Sequence, residues 1–465
     1  MKTNFLQVFL IVLLLGMSSI SSFYTSVDAQ DADRDRDGIA DHVDACPDQA
    51  GTLDLFGCAS AGQAPDRDGD SVPDLFDACP DQAGDPLLSG CVDSDGDFVI
   101  DSMDACPTEA GDPQLGGCNT ILEVELPLDR EVIHPQNAGT LQEYAQMRLV
   151  APRFSVGGTR LAVRTGGELY TYDLAQPTLL PQLALIVGSS GYPVAINPHG
   201  DEVATIRLPA DYSTPPYVQI DHAVSAEMLN RLRMSEDFNA PMVSDIAYSP
   251  ANSSLLAVAY NSGMLNDQPT LLQLWSADGS AQLRDLFHTS GVFNMAFSGD
   301  GLYLASTMID NGAFYGVIWE TATGAEITRI NLTNTITPLG VPLALNRDGS
   351  QLAVGLPNGE WVAYAITQGT AVETSRVALF NDPQKSMTAL AYHPSDDLLA
   401  IAWGTASLGT PTHELSSIVL VDTATTQALM QREDAVGAVH DLAFSADGTL
   451  LISAGQSQLR FWGAP

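Results

Sequence analysis

The stretch AFSADGTLLISAG, Ala443 to Gly455, decides the fold of the larger part of this chain. It reads as strand, polar turn, strand: Phe444 is placed to pack inward, Asp447-Gly448 allows a tight reversal, and Leu450 to Ala454 are apolar enough for a second strand. Six further copies precede it: RFSVGGTRLAV from Arg153, AINPHGDEVAT from Ala195, AYSPANSSLLAVAY from Ala247, AFSGDGLYLAS from Ala296, ALNRDGSQLAVG from Ala344 and AYHPSDDLLAIAW from Ala391. Their matched residues Ser155, Asn197, Ser249, Ser298, Asn346, His393 and Ser445 recur every 42 to 52 residues, the length of a four-stranded blade. The spacing predicts a mainly β chain with a seven-bladed β-propeller over residues 140–465.

The ends of this region carry a second expectation. The chain stops at LRFWGAP, a third strand by this alignment, so the last blade lacks its outer strand. GTLQEYAQMRLV, Gly139 to Val150, stands where a strand from the N-terminal side would close the ring and cover the open edge. Between the second and third copies, DHAVSAEMLNRLRMSEDF, Asp221 to Phe238, has apolar spacing that suits a short inserted helix.

These units resemble the WD-repeat β-propellers. Remnants of that family's dipeptide stand at Tyr172-Asp173, Trp275-Ser276, Trp319-Glu320, Val421-Asp422 and Trp462-Gly463, although none is Trp-Asp and the usual Gly-His is missing. The resemblance implies a scaffold that binds a protein or other macromolecule through loops on one face.

A different repeat occupies residues 30–118. DRDRDGIADHVDACPDQAG from Asp33, DRDGDSVPDLFDACPDQAG from Asp66 and DSDGDFVIDSMDACPTEAG from Asp93 carry Asp at positions 1, 3, 5, 9 and 12 of a loop. The fifteen are Asp33, Asp35, Asp37, Asp41 and Asp44; Asp66, Asp68, Asp70, Asp74 and Asp77; and Asp93, Asp95, Asp97, Asp101 and Asp104. A hard cation such as calcium takes six to eight oxygens, and a tight loop aims alternate carboxylates inward while position 7 offers its carbonyl, here from Ile39, Val72 and Val99. A solvated acidic linker needs charge but no register, so the fixed spacing predicts calcium loops rather than disorder. Magnesium accepts all-protein cages poorly. Gly38 fills position 6 in the first copy, whereas Ser71 and Phe98 stand there in the others and Gly69 and Gly96 sit at position 4. Phe98 is expected to strain a left-handed backbone.

All six cysteines lie in this head, each DACP cysteine with a partner twelve residues on: Cys46 and Cys58, Cys79 and Cys91, Cys106 and Cys118. Equal spacing suggests one disulfide per repeat, with Cys58–Cys79 and Cys91–Cys106 links as the alternatives among fifteen connectivities. The three copies resemble thrombospondin type 3 repeats, most closely the bacterial version, and the resemblance implies calcium binding at the fifteen Asp without implying any one function.

Lys2 followed by the apolar run Phe5 to Leu15, with small Val27 and Ala29, predicts a signal peptide over residues 1–29 that is cut before Gln30. A secreted or envelope location then suits the cysteines. No later stretch is apolar enough to span a membrane, and residues 119–139 are expected to be a linker. A net charge of −38 with Lys only at Lys2 and Lys385 argues against nucleic acid as a partner. No catalytic motif is found, so the expected function is an exported calcium-binding interaction scaffold and not an enzyme; a propeller-based hydrolase and an envelope spacer are the alternatives. His393 and His440 read as structural, Asp245 and Asp441 as residues facing the central channel or joining blades, and Trp361 and Trp403 as core more readily than as a binding face.

Overall fold

The computed structural model describes residues 33–465 apart from 54–55, 60–63, 105, 116, 189–191, 208–215, 233–241, 262–269, 279–280, 289–291, 311–312, 333–340, 368, 381–384, 405–414 and 437–438. The expected signal peptide lies outside the described residues. The chain divides into two units, Met1–Gly117 and Cys118–Pro465.

The second unit is a seven-bladed β-propeller of seven four-stranded antiparallel sheets. Blade one is made of Arg153–Gly157, Arg160–Thr165, Glu168–Asp173 and Leu183–Ile186. Each following quartet repeats that meander, and the inner strands neighbour one another around a complete ring. The apolar residue before the first turn is buried in six of the seven blades, at Phe154, Ile196, Tyr248, Phe297, Leu345 and Phe444, and half-buried in blade six at Tyr392.

Blade seven takes Asp441–Phe444, Leu451–Ala454 and Gln458–Gly463 from the end of the chain and its fourth strand from Gln142–Arg148. The register runs from Gln142 opposite Gly463 to Arg148 opposite Gln458. Met147 is fully buried in this closure, and the Tyr144 hydroxyl donates to the Ala464 carbonyl. The segment 119–139 packs within the same unit: Val124–Glu125 pairs with Thr178–Leu179, Ile133 is fully buried, and its N–H donates to the Gly448 carbonyl at 2.9 Å.

The core is divided like the sheets, with one apolar cluster wedged between each neighbouring pair of blades. Trp361 and Trp403, 2% and 3% exposed, belong to the cluster between blades five and six and present no binding face. Of the three tryptophans at the repeat signature, two send the indole N–H to a serine on the second strand, Trp319 to Ser306 and Trp462 to Ser453, both at 3.0 Å, and Trp275 sends its own to Gln273 Oε1 at 3.1 Å. A buried indole keeps a partner this way.

The helix expected over Asp221 to Phe238 is not formed by its described part. Tyr217–His222 and Met228–Leu232 are the third and fourth strands of blade two, with Val218 opposite Leu232. Helical spacing in this segment is overridden because its backbone must complete the sheet and Leu232 must fill the core beside Val243.

The first unit has little apolar core and is held by loops and disulfides, as a small module that cannot bury enough apolar surface must be. Cys46–Cys58 and Cys79–Cys91 are bonded within their repeats, and Cys106 and Cys118 are also disulfide-bonded. Phe56 of the first repeat meets Phe76 of the second with ring centroids 4.9 Å apart.

Candidate calcium loops

Each acidic loop turns twice through left-handed backbone, at positions 4 and 6. The residues are Arg36 and Gly38 (φ 65° and 95°), Gly69 and Ser71 (83° and 80°), and Gly96 and Phe98 (84° and 72°). Glycine therefore fills one of the two demanding positions in every copy, and which one it fills is free to vary. Phe98 does take the disfavoured conformation, with its ring 71% exposed.

These turns bring the carboxylates at positions 1, 3 and 5 together. Oxygens of Asp33, Asp35 and Asp37 lie within 4.8 Å of one another, as do those of Asp66, Asp68 and Asp70 and those of Asp93, Asp95 and Asp97. Position 1 is aimed by backbone donors: Asp33 accepts from the N–H of Arg36 at 2.7 Å and of Gly38 at 3.1 Å. Position 5 is aimed from the far end of the repeat, since Asp37, Asp70 and Asp97 accept from Gly51, Gly84 and Gly111 at 2.9, 3.0 and 2.9 Å. Glycine is required there, because a Cβ on Gly51 would lie 2.2 Å from the backbone of Cys58. The disulfide thus holds the segment that orients a candidate ligand.

Position 12 comes in from below. Asp44, Asp77 and Asp104 each accept from the N–H two residues on, at 2.7, 2.7 and 2.6 Å. Each lies against a glycine, Gly57, Gly90 or Gly117, on which a Cβ would come within 2.2 Å of a carboxylate oxygen. Position 9 serves the loop backbone instead. Asp41, Asp74 and Asp101 accept from the backbone N–H of position 2, at 2.9, 2.8 and 2.7 Å, and close the loop. They do not join the converging group. Arg34 and Arg67 at position 2 also donate to Asp48 and Asp81, exposed pairs that orient side chains more than they stabilise.

One oxygen in each of Asp35, Asp44, Asp68, Asp77, Asp95 and Asp104 is buried without a hydrogen-bond partner. A carboxylate oxygen with nothing to accept is costly to enclose, and six of them at two fixed positions of three repeats call for a cation. The carboxyls at position 3 are also hard to ionise. Asp35, Asp68 and Asp95 are held above the usual carboxylate range, first by desolvation and then by neighbouring Asp charges. The donor set is all oxygen, which suits a hard divalent ion.

Away from the loops, His393 is structural, as its turn position suggests. It is buried, with Nδ1 2.6 Å from the Ser395 hydroxyl and Nε2 3.1 Å from the Gly448 carbonyl, so it joins blades six and seven. What the spacing could not reveal is the set Gly57, Gly90 and Gly117, whose role depends on a contact across the disulfide.

Loops of this geometry, repeated three times before a propeller, define a modular protein with an acidic, disulfide-bonded head whose carboxylate clusters could hold a metal ion. Residues 28–52 and 61–84 match the thrombospondin type 3 repeat, and residues 432–463 match the WD domain, G-beta repeat. The third acidic loop lies beyond those matches but repeats their geometry bond for bond. No curated protein matches the chain. Thrombospondin type 3 repeats are calcium-binding and, like disulfides, are typical of extracellular proteins. No helix among the described residues is long and apolar enough to cross a membrane.

Proposed function

We propose that this is an exported protein whose head binds calcium through the three loops and whose propeller binds a protein partner through one face, without catalysis of its own. The observation that carries the calcium assignment is the set of six buried, partnerless carboxylate oxygens. A divalent ion in each loop would accept those oxygens as ligands together with the clustered carboxylates of positions 1, 3 and 5, and would relieve their mutual repulsion. Export rests on Lys2, the apolar run that follows it and the paired cysteines, which need an oxidising compartment. The propeller offers blade loops on a rigid ring, the arrangement on which WD-repeat scaffolds hold other proteins.

Calorimetric titration of the mature chain with calcium and with magnesium tests the first part. Calcium is expected to give a saturable heat that magnesium does not, with Kd in the range of about 10⁻⁴ to 10⁻³ M usual for extracellular modules. No calcium heat, or equal binding of magnesium, would reduce the loops to a solvated acidic spacer. Capture of a partner by the propeller with calcium present, and N-terminal sequencing of chain recovered outside the cytoplasm, test the rest; an unprocessed Met1 there would reject cleavage.

A further inference from the structure

The inner strands of all seven blades face a space of about 680 Å³, a size that suits a small organic molecule. Small side chains such as Gly157, Ala195, Ala247 and Ala443 keep it open. Four partly exposed charged or imidazole side chains line it beside the buried Tyr248: Arg153 on blade one, Asp245 on blade three, and His440 and Asp441 on blade seven.

Their states follow from their bonds. Arg153 Nη1 lies 3.1 Å from His440 Nδ1, and His440 Nε2 lies 3.0 Å from the Gly455 carbonyl. A guanidinium only donates, so Nδ1 accepts and the ring is neutral with its proton on Nε2. Burial accordingly drives His440 down to about 3. Arg153 donates to this neutral partner, and its charge opposes the effect of burial at Asp245 and Asp441. Asp245 and Asp441 hold equivalent places, each four residues before the matched Ser249 or Ser445. Each is fixed by backbone donors, Asp245 from Ile246 and from Met295 of the next blade, Asp441 from Leu442 and from Phe154 of the next blade. The two come from separate blades, yet the Asp441 charge adds to burial in raising Asp245. On blade six the Thr388 hydroxyl is buried without a partner and lines the same space.

We propose that this channel is a ligand site for a small zwitterion of the α-amino acid class, its ammonium group held by Asp245 and Asp441 and its carboxylate by Arg153. A simple anion would meet two carboxyls, and a simple cation would meet the guanidinium; a molecule with both ends answers both. Burial raises Asp245 to about 7 and Asp441 to about 6, so an arriving ammonium displaces protons from them near neutral pH.

The experiment is calorimetry on the full mature chain with chelator present, which leaves the head without calcium and separates this site from the loops. The probes are glycine, L-serine, L-lysine and L-glutamate, singly, with ethylamine and acetate as half-ligands. At least one amino acid is expected to bind, with either half-ligand about tenfold weaker or worse and with a heat that varies with the ionisation heat of the buffer. Arg153→Gln and Asp441→Asn, each checked for cooperative unfolding, are expected to weaken binding about tenfold. If a variant does not fold, the half-ligand comparison on the native chain decides. No binding by any probe, half-ligands as tight as amino acids, or full affinity in a folded Arg153→Gln protein would overturn the proposal.

Discussion

Phe98 stands in left-handed backbone at φ 72°, where an L side chain costs about 1–2 kcal/mol, and its exposed ring recovers little of that by packing. Replacing it with glycine removes the steric cost, although glycine also gives the unfolded chain more freedom to lose. Phe98→Gly is therefore expected to tighten calcium at the third loop by several-fold, read by calorimetry against Ser71→Gly in the second. Unchanged affinity would mean that the loop forms with no strain to relieve. The opposite effect belongs to Gly90, where a Cβ would meet the Asp77 carboxylate at 2.2 Å. Gly90→Ala should weaken the second site at least about tenfold while the Cys79–Cys91 bond still forms, and a normal second site would dismiss the glycine contact as incidental. The strain at Phe98 is legible in the sequence because positions 4 and 6 are local to the loop. The need at Gly90 is not, since Asp77 is thirteen residues away and reaches it only through the folded repeat.

At the scale of elements the closing strand was legible for a topological reason: a seventh repeat that supplies three strands leaves an edge that another strand must cover. Gln142–Arg148 covers it, and Met147 seals the junction of blades seven and one with Leu459 and Phe461. Met147→Ala should cost about 2–5 kcal/mol, a core truncation at the one seam made from both ends of the propeller. Thermal unfolding would show a lowered midpoint, and an unchanged one would mean that the strand docks without contributing stability. Outer strands were less legible. Met228–Leu232 faces solvent along much of its length and so lacks the alternation that marks a half-buried strand, which is why its spacing passed for helical. The second strands, buried on both faces by neighbouring blades, announce themselves by apolar runs after a fixed turn.

For the molecule as a whole, the propeller closes around three groups whose protonation differs between folded and unfolded chain. Asp245 and Asp441 are raised from 3.8 to about 7 and about 6, first by burial, so the stability they contribute is complete below about pH 4 and is lost as pH rises through 6 and 7. His440 is lowered from 6.5 to about 3, again by burial first, so it contributes above pH 6.5 and loses that contribution as pH falls toward 3. Of these three groups only the two carboxyls act between pH 8 and 6.5, so the channel's contribution to stability rises on acidification. Below 6.5 the histidine opposes them, but two groups outweigh one until about pH 4. Because these side chains are partly exposed to the channel, solvent screens the effect and a gain on the order of 1–2 kcal/mol from pH 8 to pH 5 is expected. Asp245→Asn keeps an oxygen for the Met295 N–H but cannot titrate, so denaturant unfolding of this variant should show a shallower rise than the native chain. Both proteins carry the same acidic head, so the difference between their pH profiles isolates the channel. Parallel profiles would show that Asp245 ionises in the folded ring as easily as in the unfolded chain.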